Sequence, residues 1–407
     1  MTPQIQQRID QLRRSEMPDG YKTTKSGIIP HEWSSYTLGD IYTERKESGI
    51  PSLPILTVSI HSGVSDGALD DDELGKKVKR IEDKTQYRTA HSGDLVFNMM
   101  RAWQGAIGVV RSDGLVSPAY IVATPDESVV YPPFMDYFMK TPQMINKLHR
   151  KSYGVTDFRL RLYWDSFAMI DCALPPLHEQ KKIAEILSAQ DKLIALTEKL
   201  IEEKKRQKKY LMQQLLTGKM RLPGFNEEWA RLRLKDIAVY ITERKVMSQN
   251  VYLSTENIKP DYLGVEFTAG QDNMEGIHYK EDDILISNIR PYLKKVWLSN
   301  QTGVCSADIL VLRAQNFLPM YLYYIIARDA FVEYVMNGVK GTKMPRGDKQ
   351  HIMQMEVCSP SLSEQNAIVN FLSNIDRELV LLNRNLDQEK QKKKALMQLL
   401  LSGVVRV

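Results

Sequence analysis

The side chains best suited to specific chemistry in this 407-residue chain are arginines and asparagines in basic loops that occur twice. Asn98 and Arg101 close one β-like run, and Asn288 and Arg290, with Lys294 and Lys295, close another. Arg and Asn are the side chains able to make paired hydrogen bonds to guanine and adenine edges. Further along stand Arg150-Lys151-Ser152-Tyr153-Gly154 with Thr156, and Lys340-Gly341-Thr342-Lys343 with Arg346. In such small basic loops glycine lets backbone N–H groups approach phosphates. Thr43-Glu44-Arg45-Lys46 recurs as Thr242-Glu243-Arg244-Lys245. A motif kept in both copies cannot distinguish two ligands, so Arg45, Lys46, Arg244 and Lys245 are expected to shape the scaffold or to meet phosphate. Taken singly, each of these residues reads as ordinary surface charge before anything else. Taken as sets, they point toward nucleic acid.

Catalytic apparatus is missing from the sequence. There is no G-x-x-x-x-G-K-[ST] loop for a nucleotide phosphate and no N-P-P-[YF] run of the kind used by base methyltransferases. The seven histidines are scattered without metal-ligand spacing. Pro125-Asp126-Glu127 is a lone acidic turn. Cys172, Cys305 and Cys358 form no C-x-x-C pair, which suits a reducing cytosol. No run of 18 apolar residues is present and Met1–Ser15 lacks an apolar signal region, so a cytoplasmic protein without a membrane span is expected. The net charge of +5 is too mild to decide anything by its size.

The chain is one unit written twice. Leu174–Leu222 and Ser359–Val407 align without a gap at a constant shift. Pro175, Leu177, Glu179, Gln180, Ile183, Leu187 and Asp191 recur as Pro360, Leu362, Glu364, Gln365, Ile368, Leu372 and Asp376. The globular stretches repeat more faintly, through Leu38-Gly39-Asp40-Ile41 and Leu234-Lys235-Asp236-Ile237, Asp94 and Asp283, Arg101 and Arg290, Ser117 and Ser306. A shared scaffold with different loops implies two different ligands, or two versions of one.

Each close repeat predicts a long helix. In the second copy Ile368, Leu372, Ile375, Leu379, Leu382, Leu386, Leu396 and Leu400 follow coiled-coil spacing. In the first the seam runs through Ile183, Leu187, Ile194, Ile201, Leu211 and Leu215, interrupted by Gln190, Thr197, Lys204 and Lys208. Prolines precede both helices, and Gly218 and Gly403 close them. The simplest partner for such a seam is the other copy. Approximate two-fold symmetry would make the pair antiparallel; a parallel pair would break that symmetry. The runs Lys204–Lys209 and Lys390–Lys394 read either as a solvated face or as phosphate contacts.

The modules before each helix are expected to be α+β. Strands are predicted at Pro54–Ile60, Asp94–Met100, Ala106–Val110 and Ala119–Ala123, and at Ile284–Asn288, Lys295–Leu298 and Ile309–Leu312. Single core helices are predicted at Phe134–His149 and Pro319–Met336.

This order of motifs resembles the specificity (S) subunit of type I restriction–modification systems. Pro175-Pro176-Leu177-His178-Glu179-Gln180 and Pro360-Ser361-Leu362-Ser363-Glu364-Gln365 carry the resemblance, with the Gly27-x-Ile29-Pro30-x-Glu32-Trp33 entry. Ser361 departs from the usual second proline. The resemblance implies two pseudo-symmetric target recognition domains, at 31–173 and 223–358, and two long antiparallel coiled-coil helices, within 174–222 and 359–407, after an N-terminal segment of 1–30. It implies a non-catalytic subunit in which each domain reads half of a bipartite double-stranded DNA target. The helices would set the spacing and dock two methyltransferase (M) subunits, which restriction (R) subunits would join. S-adenosylmethionine, ATP and magnesium would belong to those partners and none to this chain. A coiled-coil scaffold whose end modules bind proteins is the competing reading.

Overall fold

The computed structural model describes residues 3–60, 63–65, 81–156, 159–270, 272–339 and 345–407. They form two units, one of 1–196 with 386–407 and one of 197–385. Both are mixed α+β with the same central topology. In the first, strands Tyr42–Arg45, Tyr120–Pro125, Leu95–Asn98 and Ile107–Val109 lie side by side in that order, all antiparallel. In the second the order is Ala238–Ile241, Ile309–Ala314, Ile284–Ser287 and Val296–Leu298, again antiparallel. Strands Leu95–Asn98 and Ile284–Ser287 are central and nearly wholly buried, which explains their unbroken apolar runs.

The expected single core helices are each two. Pro132–Phe138 is followed by Pro142–Lys151, and Pro319–Ile326 by Asp329–Asn337. Pro142 has no N–H to continue a helix, and Thr141 caps the new one by accepting from the Met144 N–H. In the second unit Arg328 adopts an extended conformation and Asp329 opens the next helix. The strand expected at Pro54–Ile60 shrinks to Val58–Ser59, paired with Gly63–Val64. Pro51 and Pro54 lack the N–H groups a longer ladder needs, and the run instead makes an isolated parallel bridge from Ile55 to Leu115.

The two long helices are Leu177–Leu215 and Leu362–Leu400, each about 60 Å long at 1.5 Å per residue. They pack antiparallel in both units. In the first unit Gln190 donates to Glu389 (2.6 Å), and Ile183 and Leu187 share a core with Leu400 and Leu401. In the second, Lys204 and Lys208 meet Glu378 and Asp376, and Leu215 packs with Ile368 and Leu372. Ile201 and Leu386 are buried, while Ile194, Leu211, Ile375, Leu379, Leu382 and Leu396 are half-buried. Each fully buried Leu or Ile contributes roughly 2 kcal/mol. Gly218 and Gly403 end the helices with φ of 71° and 73°, a left-handed conformation that glycine adopts at no steric cost.

The Glu-Gln pair of each repeat fastens a module to its helix. Gln180 is fully buried; its carbonyl accepts from the Tyr131 N–H, which starts helix Pro132–Phe138, and its amide donates to the Pro175 carbonyl. Gln365 repeats this with the Leu318 N–H and the Pro360 carbonyl. Buried Glu179 accepts from Trp33 and Arg406, and buried Glu364 from Trp229 and Arg221. Asp191 accepts from the Tyr137 hydroxyl and pairs with Lys393; Asp376 does the same with Tyr324 and Lys208. The Glu-Gln pair in the first turn of each long helix is thus a buried polar lock whose side chains are partnered as burial requires.

Candidate nucleic-acid interface

In each module the central strand ends in a turn that presents an arginine. After Leu95–Asn98 the chain forms a 3-10 turn, Ala102–Gln104, with exposed Arg101 at its N-cap. After Ile284–Ser287 comes the 3-10 turn Pro291–Leu293, with exposed Arg290 at its N-cap. Arg101 and Arg290 thus hold the same position on the same scaffold. Arg290 and Lys294 have φ of 52° and 54°. Non-glycine residues in the left-handed region are strained and concentrate where a loop must present particular side chains. Asn98 and Asn288 are less equivalent: Asn98 ends its strand opposite Tyr120 and accepts from the Met100 N–H, whereas Asn288 lies one residue beyond its own strand. The Tyr120 hydroxyl is pushed up in pKa by burial, opposed by Asn98 and Arg101.

A second, sequence-distant loop comes to each arginine. In the first module the Leu162 N–H donates to the Met99 carbonyl (2.8 Å), and the Trp103 ring lies 5.4 Å from that of His149. This sets Arg150 and Lys151, both exposed at a helix C-terminus, beside the Arg101 turn. Tyr153 pairs with Arg161 across an isolated bridge. Gly154 is needed there, because a Cβ would sit 2.2 Å from the Arg159 carbonyl oxygen. The Thr156 hydroxyl is buried without a partner. In the second module Arg290 N–H donates to the Pro345 carbonyl (2.9 Å), Ile289 bridges to Arg346, and Arg346 pairs with Asp308. Lys340 and Lys343 lie outside the described residues.

The Thr-Glu-Arg-Lys repeat falls in different surroundings in the two modules. Arg45 is on a strand of the central sheet and makes a two-pronged contact with buried Asp94 (2.9 and 3.3 Å). Arg244 is on a different sheet and pairs with exposed Glu275. The acid equivalent to Asp94 is Asp283, and Arg313 holds it instead, at 2.7 Å through both prongs. Lys46 and Lys245 pair with neighbouring Glu44 and Glu243. The basic runs on the long helices are mostly ion-paired, as with Lys204, Lys205, Lys208, Lys209, Lys392 and Lys393. Asp126, in the acidic turn, accepts from Ser128 through an Asx-turn.

Three further exposed residues lie beside the first loop. Arg159, Arg161 and Tyr163 face solvent, with buried Leu162 between the last two, and the Tyr163 ring lies 5.3 Å from that of Tyr153. The signal for them was present as the two-residue alternation R-x-R-x-Y. It lies just beyond Thr156, outside the basic Arg150–Thr156 stretch.

With this geometry in place, the comparisons with known proteins decide the family. The sequence model described as "Type I restriction modification DNA specificity domain" matches residues 119–206 and 226–390, more than half of the chain. The chain belongs to that family. It is similar to the putative type I restriction enzyme MjaX specificity subunit of Methanocaldococcus jannaschii, at 25% identity over 96% of this chain and 97% of the other. It is also 24% identical to the MjaVIII specificity subunit of that organism, over 72% of this chain and 75% of the other. Among solved structures, the HsdS subunit from Thermoanaerobacter tengcongensis shares the fold with a TM-score of 0.51 at 18% identity, covering 93% of this chain and 98% of that one. For this specificity-subunit chain, no described helix is long and apolar enough to cross a membrane.

Proposed function

We propose that this specificity subunit reads a bipartite double-stranded DNA target, one half with each module. The observation that carries the reading is the convergence of two sequence-distant basic loops beside an arginine at the same place on the same scaffold, once per module. Arg101 and Arg290 are the proposed base readers, with Asn98 and Asn288 beside them. Arg150, Lys151, Arg159, Arg161, Lys294 and Arg346 supply phosphate contacts and orientation, a role also assigned to Lys340 and Lys343. Thr156, with its unpartnered hydroxyl, belongs with the first set. Lys46, Arg244 and Lys245 are assigned to peripheral phosphate contact, whereas Arg45 serves the scaffold through Asp94.

The long helices fix the gap between the half-sites and dock methyltransferase subunits, proposed to number two, which restriction subunits join. Exposed apolar side chains on the helices support docking: Ile186, Leu193 and Leu196 in the first unit, and Phe371, Val380 and Leu381 in the second. S-adenosylmethionine, ATP and magnesium are assigned to those partners, and this chain takes the non-catalytic, cytoplasmic role of target selection.

Selection of bound duplexes from a random pool, using the chain with its methyltransferase partner, tests the reading. Two short conserved blocks at fixed spacing are expected, with affinity falling steeply as salt rises. Equal retention of all sequences would sink it, and salt-insensitive capture of a protein alone would favour a scaffold.

A further inference from the structure

The loop that comes to Arg101 is a narrow hairpin. The backbones of Tyr153 and Arg161 exchange two hydrogen bonds, at 3.0 and 2.9 Å, and nearer the tip the Arg159 N–H donates to the Thr156 carbonyl at 2.9 Å. Buried Leu162 fixes the base of the hairpin by donating to the Met99 carbonyl, two residues before Arg101. Gly154 keeps the strands pressed together, since a Cβ there would also lie 3.2 Å from the Leu160 Cα.

What this hairpin shows to solvent is both basic and apolar. Arg159 and Arg161 are exposed on one strand. On the other, Tyr153 is 57% exposed and Val155 is 99% exposed. Tyr163, 37% exposed, brings its ring to 5.3 Å from that of Tyr153. Opposed residues of an antiparallel bridge share a face, so Tyr153 and Arg161 point the same way, while Leu162, next along, points into the core. A lone exposed apolar side chain needs no explanation. Three on one hairpin, set among arginines and one of them wholly in water, suit a ligand that is anionic and also carries an apolar group. The major groove of duplex DNA is such a ligand: it lies between two rows of phosphates, it is wide enough at roughly 12 Å to admit a two-stranded β-ribbon, and the thymine C5 methyl is its apolar group.

We propose that Val155 reads a thymine in the half-site of the first module through its C5 methyl group. The Tyr153–Tyr163 ring pair braces the strand that carries Val155, and Arg159 and Arg161 take the flanking phosphates. The inference rests on the DNA-reading function proposed above and adds what the arginines cannot supply. Arg101 selects guanine by hydrogen bonds, whereas a methyl group is recognised by apolar contact. Val155 lies at most about 7 Å along the chain beyond the bridged Tyr153, which is within the groove depth of roughly 8.5 Å.

The test measures binding of the full chain, with its methyltransferase partner, to its selected target in which each thymine in turn is replaced by deoxyuridine, a base that lacks only the methyl group. The half-site of the first module is the one that changes when residues 31–173 are exchanged. One replacement there is expected to weaken binding about threefold to fivefold, the worth of one buried methyl group. Val155→Ala is expected to lose that preference at that position alone. Its side chain is wholly exposed, so the melting temperature and the guanine preference of Arg101 are expected to stay unchanged. A first half-site without thymine on either strand, or a Val155→Ala chain that still distinguishes thymine from deoxyuridine at every position, would overturn the assignment and leave the bipartite reading intact. A chain that selects no target removes the bipartite reading and this inference with it. Loss of the methyltransferase partner from Val155→Ala, with DNA binding unaltered, would make Val155 a protein contact and also overturn it.

Discussion

Arg406 holds Glu179 by two hydrogen bonds, Nε to Oε1 at 2.6 Å and Nη2 to Oε2 at 2.7 Å, across 227 residues of sequence. Arg221 holds Glu364 in the same way at 2.6 and 2.8 Å. Each arginine stands three residues beyond the glycine that ends one long helix, and each glutamate opens the other. The two repeats therefore close on each other: the tail of one copy completes the buried lock of the other.

Breaking either lock leaves a buried carboxylate short of its charge partner. Arg406→Ala is expected to cost about 3 kcal/mol in the first unit, and Arg221→Ala is expected to destabilise the second. Urea unfolding followed by limited proteolysis would resolve the two. Loss of protection in both units from either single substitution would contradict separate locks.

The equivalent positions of Arg101 and Arg290 predict separable effects on recognition. Arg101→Ala is expected to relax one base position in one half-site, at about 1–3 kcal/mol of discrimination, and Arg290→Ala one position in the other half. Binding measured against single-base variants of the target checks this. A uniform loss across all variants would demote that arginine to phosphate contact.

Replacing residues 31–173 with the corresponding module of another specificity subunit is expected to change one half-site and leave the other untouched. Inserting one heptad at matched points in both long helices adds about 10 Å, and so about three base pairs to the gap between halves. The selected spacer length gives the result directly; an unchanged spacer would refute the helices as a ruler.

His91 gives the first unit a pH dependence. Its Nδ1 lies 2.8 Å from Asp113 and its Nε2 3.2 Å from Glu47. The hydrogen bond with Asp113, ahead of that with Glu47, raises its pKa. A raised folded-state pKa means stabilisation that is complete below the unfolded value of roughly 6.5 and is lost as pH rises through the folded value. Asp113, held low by the Ser92 N–H and then by His91, works on the other side: its contribution is present above the ordinary carboxylate range and is lost on acidification. The urea midpoint of the first unit should therefore fall between mildly acidic and mildly alkaline pH, and His91→Gln should flatten that slope. An unaltered slope in the variant would remove His91 as the cause.

Much of this protein is legible without coordinates because its signals are periodic or repeated. The coiled-coil seam through Ile368, Leu372 and Leu386, the apolar central strands and the helix-ending glycines depend on local spacing, and local spacing survives in a one-dimensional string. The breaks at Pro142 and Arg328 were missed because an apolar period continued across them. Arg45 and Arg244 looked equivalent because four letters matched, yet the chain carries them into different sheets. Nothing local marks Arg313, far along the chain, as the residue that takes the place of Arg45 at Asp283.

The amino-acid sequence alone determined the duplication, the two modules, the long helices and the family resemblance, since each is written in residue order. Tertiary structure decided which charges are locks and which are free to meet a ligand. Arg45, Arg221, Arg313 and Arg406 are spent on buried carboxylates, while Arg101 and Arg290 face solvent on matching turns. A side chain's charge is fixed by its type, but its availability depends on partners that only folding brings within a few ångströms.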